Sequence, residues 1–278
     1  MTALPGAIFS GFQWSRLVMA IFALAAILAC QSAPITHRPQ LILMDEPTER
    51  ALGQEVYSDM LVRAHSVKDA RLKAMVERVG RRVAAATGGD DLAWEFNLLD
   101  DESPNAFCLP GGKVAVNTGI LALAGNEAGL AAVIAHEAAH AIARHGAERG
   151  SHAMVVQLGL DLVDRGLGRR LAEKTKMRLV WGVDFVMSLA FPFSRTHEME
   201  ADELGTLFMA RAGYDPREAV EFWTRFVERG KKEAKPTLEF LSTHPTDAAR
   251  LWKIRLLIPR AMKEYEQSEK LGLGENIL

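Results

Sequence analysis

The sequence predicts a mainly helical α+β domain, and three observations carry that expectation. Apolar residues recur at helical spacing over most of the chain, at about 48–64, 67–86, 127–148, 216–229 and 246–255. Strand-like alternation is confined to one short region, from Trp94 to Asn117. Hydrophobic residues make up 49% of 278, which is enough to fill a sizeable core.

In chain order, Arg16 precedes an uninterrupted apolar run of 13 residues, Leu17 to Ala29. That is short for a membrane span and right for the core of a signal peptide. The run ends Ile27-Leu28-Ala29-Cys30, which resembles a bacterial lipoprotein signal with Cys30 as the lipidated first residue of the mature chain. Plain cleavage and an uncleaved anchor are the alternatives. Gln31 and Ser32, with no aspartate behind the cysteine, resemble outer-membrane sorting, on the periplasmic side. Residues 1–29 are therefore read as signal peptide, 30–45 as a proline-bearing membrane tether, and 46–278 as the domain.

Two helical patterns open the domain, the second stopped by Gly88-Gly89. Trp94 to Leu99 alternates as a strand, and Phe107–Leu109 and Lys113–Asn117 are expected to pair through a Pro110-Gly111-Gly112 turn. The net charge of −2 argues against a nucleic-acid partner. Only two cysteines are present, and with Cys30 lipidated Cys108 has no partner; it reads as a small buried residue. The apolar stretch 179–193 is too short to span a bilayer and reads as a buried helix, a lid or a membrane-dipping loop.

The most informative stretch is His136-Glu137-Ala138-Ala139-His140. On a helix its two histidines stand one turn apart and can take adjacent corners of a zinc tetrahedron. Glu137 sits on the shoulder of that face, where its carboxylate can act as general base on a water. A catalytic zinc needs a third protein ligand. His145, five residues past His140, is expected to point away from the ligand face. A second helix offers Glu198 and Asp202, four apart beside the apolar stripe of Leu204, Leu207 and Phe208. Glu198 would ligate, Asp202 would accept from the outer nitrogen of a ligand histidine, and Gly205 would let the two helices approach closely. Glu200 and Glu203 fit a solvated acidic face.

These motifs, with Phe191-Pro192-Phe193-Ser194-Arg195, the Asn105-Ala106-Phe107 to Pro110-Gly111-Gly112 stretch, and Thr243-His244-Pro245 with Arg250, resemble the HtpX and CaaX-protease family of zinc metallopeptidases. The compact periplasmic lipoprotein members and the OMA-type peptidase are the nearest. The resemblance spans about residues 50 to 258. It implies a zincin-like domain with a small sheet at the edge of the cleft and one Zn2+ per chain. It also implies misfolded or unassembled envelope proteins as substrates. An edge strand is expected to pair with extended substrate, with Asn105, Ala106, Lys113, Val114 and Ala115 as candidates; Asn105 can equally cap a turn. His244, Arg250 or Arg195 could stabilise the oxyanion. In the family's pattern His244 could instead gate the open zinc position, or it could simply cap a helix. Arg250 is expected to pair with an acidic group such as Asp202. Two function classes remain: a membrane-anchored zinc endopeptidase, and a zinc-containing chaperone or scaffold.

Overall fold

A computed structural model describes residues 30–65, 67–166, 193–232, 243–245 and 247–277. The signal-peptide reading, and nearly all of the stretch read as a lid, lie outside these residues. Two short strands, β1 (Cys30–Ser32) and β2 (Pro39–Leu41), form an antiparallel hairpin. Helices α1 (Glu46–Arg63) and α2 (Ala70–Thr87) follow, then the strands β3 (Glu95–Leu99), β4 (Ala106–Leu109) and β5 (Lys113–Asn117). The rest is helical: α3 (Thr118–Ala124), α4 (Glu127–Ile142), α5 (His145–Gly166), α6 (Arg195–Arg211), α7 (Arg217–Lys232) and α8 (Ala248–Glu266).

Local chemistry accounts for the helix ends. Asp69, Asn126, Ser194 and Asp247 each accept from backbone amides of the turn they open. Helix α2 turns Met75, Val76, Val79 and Val83 inward and is ended by Gly88 in the left-handed conformation. Helix α4 is buried at every residue from Glu127 to His140, so it runs through the core rather than over it. Helix α8 continues through Pro259 to Glu266, beyond the expected end near 255.

The three-stranded sheet has the order β3-β5-β4, with β3 parallel and β4 antiparallel to β5. The β4–β5 turn needs Gly111 and Gly112, at φ +83° and +81°, where a Cβ would be strained. This arrangement corrects one expectation. Lys113, Val114 and Ala115 lie on the central strand and are paired on both sides, so they offer no backbone groups to a substrate. The edge strand packed against α4 is β4, which begins at Ala106.

Two further expectations change. Part of the stretch read as a tether is folded onto the domain: Gln40 is buried and donates to the Ala143 carbonyl at 2.6 Å. The helix expected over 127–148 is broken after Ile142, where Arg144 takes φ +55° and α5 starts afresh at His145. Arg144 is held there by Glu49 at 2.8 Å and by the Met44 carbonyl at 3.1 Å, which offsets the cost of about 1 to 2 kcal/mol for a left-handed residue with a side chain. No helix among the described residues is long and apolar enough to cross a membrane.

Candidate metal centre

Helices α4 and α6 lie in backbone contact at Gly205, where a Cβ would stand 2.9 Å from the Cα and the amide nitrogen of His136. Closeness at that point brings the polar faces of the two helices together. His136, His140 and Glu198 meet there, and His244, from the segment before α8, joins them; one donor atom from each lies within 4.8 Å of the others. All four side chains are at most 3% exposed.

The spacing is that of a cation site. His136 Nε2 is 3.2 Å from His140 Nε2, 3.4 Å from His244 Nδ1 and 3.5 Å from Glu198 Oε2; His140 Nε2 is 3.5 Å from Glu198 Oε1. The edge of a tetrahedron with bonds of zinc–nitrogen length is about 3.3 to 3.4 Å. Three imidazoles and a carboxylate are also the donors that a borderline ion such as zinc prefers. The residues therefore fit a metal.

Surrounding groups orient the donors. Asp202 Oδ1 lies 3.2 Å from His136 Nδ1, leaving Nε2 directed at the cluster. Arg250, itself buried, binds Asp202 with two nitrogens at 2.7 and 2.8 Å and Glu198 Oε2 at 2.5 Å, and its guanidinium faces the Trp223 ring. Burial works against charge on Glu198, but His244 and His136 outweigh it and hold the carboxyl well below the usual range. Burial likewise opposes charge on His136, yet Asp202 and Glu198 push it up to about 9.

Glu137 is 2% exposed, and its Oε1 has no hydrogen-bond partner among the described residues; His244 Nε2 is 3.5 Å away. Burial pushes its carboxyl up, which suits a group that must take and return a proton. The Cys108 thiol is pushed well up by burial and by the Glu137 charge, the reverse of an activated nucleophile.

The model of peptidase family M48 matches residues 68–258. The chain belongs to peptidase family M48. This M48 chain is 35% identical over 242 residues to the mitochondrial metalloendopeptidase OMA1 of Schizosaccharomyces pombe, covering 85% of this chain and 68% of that protein. Its likeness to the Saccharomyces cerevisiae protein of the same name is 31% over 259 residues, covering 87% and 73%. A putative beta-barrel assembly-enhancing protease of Vibrio cholerae is 29% identical over 195 residues, 66% of this chain and 39% of that protein. The M48 chain is thus a metal-dependent peptidase on a mainly helical, zincin-like fold.

The remaining candidates fall out unevenly in this M48 chain. Asn105 accepts from the Asn117 amide through its carbonyl, at the start of the edge strand. Arg195 turns away, 78% exposed and paired with Asp247, so it cannot serve the centre. Glu200 is corrected from a solvated residue to a buried one: it binds Arg38 at 2.6 Å, His145 at 3.0 Å and the Thr36 hydroxyl. Glu203 does pair at the surface, with Arg260.

His145 was missed because a continuous helix would aim it elsewhere. The break at Arg144 swings it back, and its Nδ1 lies 2.9 Å from His140 Nδ1. Phe193, read only as part of the Phe191–Arg195 motif, lies over His140 at 4.0 Å between ring centres and faces His244 at 5.2 Å. Arginine does not favour positive φ, so the turn at Arg144 has no signature in sequence, and Phe193 meets His140 from a distant part of the chain.

Proposed function

We propose that this M48 chain is a membrane-anchored zinc endopeptidase that hydrolyses peptide bonds of misfolded or unassembled envelope proteins. His136, His140 and Glu198 would hold one Zn2+. The observation that carries the reading is the convergence of those buried donors, with Glu137 beside them and the edge of β4 packed on the same helix. A bound zinc ion supplies Lewis acidity toward a water and a scissile carbonyl.

The protein groups do the rest. Glu137 takes the proton of the attacking water and returns it to the leaving amine. Substrate backbone pairs with the outer side of β4, from Ala106 onward, while the Asn105 carbonyl is turned inward to Asn117; no strand among the described residues pairs on the outer side. Pairing through backbone suits a peptidase with many substrates, because it ignores side-chain identity. Asp202 and Arg250 keep the ligands aimed. His244, with Nδ1 2.9 Å from Glu198 Oε1, would take the fourth corner and hold the enzyme at rest until substrate displaces it.

Localisation follows from the leader: a lipidated Cys30 would keep the domain at the periplasmic face of the outer membrane. A second reading draws on the same fourth donor, since a closed set of four is typical of structural zinc, as in a membrane-bound chaperone or scaffold. Metal analysis with digestion of unfolded casein separates the two. One zinc per chain, proteolysis by the wild type and none by Glu137→Gln support the peptidase; zinc without proteolysis in both His244→Ala and wild type would overturn it. Mass spectrometry of the mature chain tests the lipid on Cys30.

A further inference from the structure

Behind His140, on the side away from the other donors, lies a second buried group of polar side chains: His145, His197, Glu148 and Glu200. Arg38 and Gln40 reach it from the N-terminal hairpin. His145 makes two contacts, Nε2 to Glu200 Oε2 at 3.0 Å and Nδ1 to His140 Nδ1 at 2.9 Å. An ionised carboxylate offers only lone pairs, so His145 Nε2 must carry the hydrogen of the first contact. A neutral imidazole has a single N–H, and His145 Nδ1 is then an acceptor. The hydrogen of the second contact therefore belongs to His140 Nδ1. That assignment leaves His140 Nε2 with its lone pair, and Nε2 is the nitrogen that faces His136 and Glu198.

The first member of this chain of hydrogen bonds has to be held both ionised and in place. Arg38 does so: its Nε donates to Glu200 at 2.6 Å while Nη1 and Nη2 fork onto Glu148 at 2.9 and 2.6 Å. Glu148 is fixed in turn by His197 Nε2 at 3.1 Å and Gln40 Nε2 at 3.2 Å. Resting on the metal-centre reading above, we propose that Arg38 is a positioning residue: through Glu200 and His145 it sets His140 in the tautomer whose Nε2 can bind a cation. The N-terminal hairpin is then a working part of the metal centre, although it lies outside the matched family region that begins at residue 68.

The test uses the full folded chain loaded with Zn2+. Long-range proton–nitrogen correlation spectra of the histidine rings report which nitrogen holds hydrogen. The expected result is hydrogen on His145 Nε2 and on His140 Nδ1; hydrogen on His145 Nδ1 overturns the proposal, and this measurement needs no variant. Competition with a chromogenic chelator then reads Zn2+ affinity. Arg38→Ala should bind about 10- to 100-fold more weakly, as loss of ligand support does elsewhere. Arg38→Lys, which keeps the charge without the fork, should recover only part of that loss. Arg78→Ala removes the partner of buried Glu127 at the other end of α4 and should leave affinity within about twofold. Equal weakening in Arg78→Ala, or wild-type affinity in Arg38→Ala, overturns the relay alone. A wild type that takes up no Zn2+ overturns the metal-centre reading and this one with it.

Discussion

A Cβ on Gly205 would fall 2.9 Å from the Cα of His136, so the helix carrying Glu198 touches the helix carrying the two histidines with nothing between their backbones. Interhelical distance at this seam sets how far Glu198 stands from its fellow donors. Gly205→Ala should therefore destabilise the protein by about 1 to 3 kcal/mol, as overpacking does, and weaken zinc binding as well. Denaturant unfolding and chelator competition read the two effects. Unchanged affinity in a destabilised variant would show that the seam does not govern the centre.

His244 is expected to restrain rather than assist. With its Nδ1 2.9 Å from Glu198 Oε1, it competes for the corner where a water must sit. His244→Ala should raise the rate of casein cleavage several-fold at unchanged zinc content. A fall of tenfold or more would mean that the imidazole stabilises the oxyanion instead.

Arg250 is 3% exposed and neutralises two buried carboxylates, Asp202 and Glu198. Removing one member of such a set strands the others, at a cost of about 3 to 5 kcal/mol. Arg250→Ala should lose that much in equilibrium unfolding of the metal-free protein. A loss below about 1 kcal/mol, the scale of an exposed pair, would contradict its burial.

Glu148 gives a pH dependence with a defined sign. Burial works to raise its carboxyl, but hydrogen bonds from Arg38 and His197 outweigh burial and hold it well below the usual carboxylate range. A group depressed on folding contributes stability above its ordinary value of 4.5 and loses it as pH falls through the folded value. Glu148→Gln should therefore melt below the wild type at pH 7, with the gap narrowing below about pH 4.5. Melting curves in the presence of chelator, from pH 7 to pH 3, measure it. A gap of constant size would remove Glu148 from the titration.

Much of the centre could be read in the sequence because its spacing rules are local. His136, Glu137 and His140 lie within one helical turn and a fraction, and Glu198, Asp202 and Gly205 share one face of another helix; helical geometry alone relates each set. The strand Lys113–Asn117 was legible as a strand, but not its place in the middle of the sheet, because strand order depends on how β3 crosses over to pair in parallel. Glu200 looked like a surface acid because its partners, Arg38 and His145, come from 162 and 55 residues away in sequence. Such long-range pairings leave no periodic trace.

The left-handed turn at Arg144 enlarges the recognition unit. Ten consecutive positions, His136 through His145, would supply a coordinating pair, a base and a brace for one member of the pair, with Glu49 holding the turn and Glu200 the brace from elsewhere in the fold. In other chains with His-Glu-x-x-His, a histidine at that same offset deserves to be weighed as the brace whenever the position before it can bend the chain backwards.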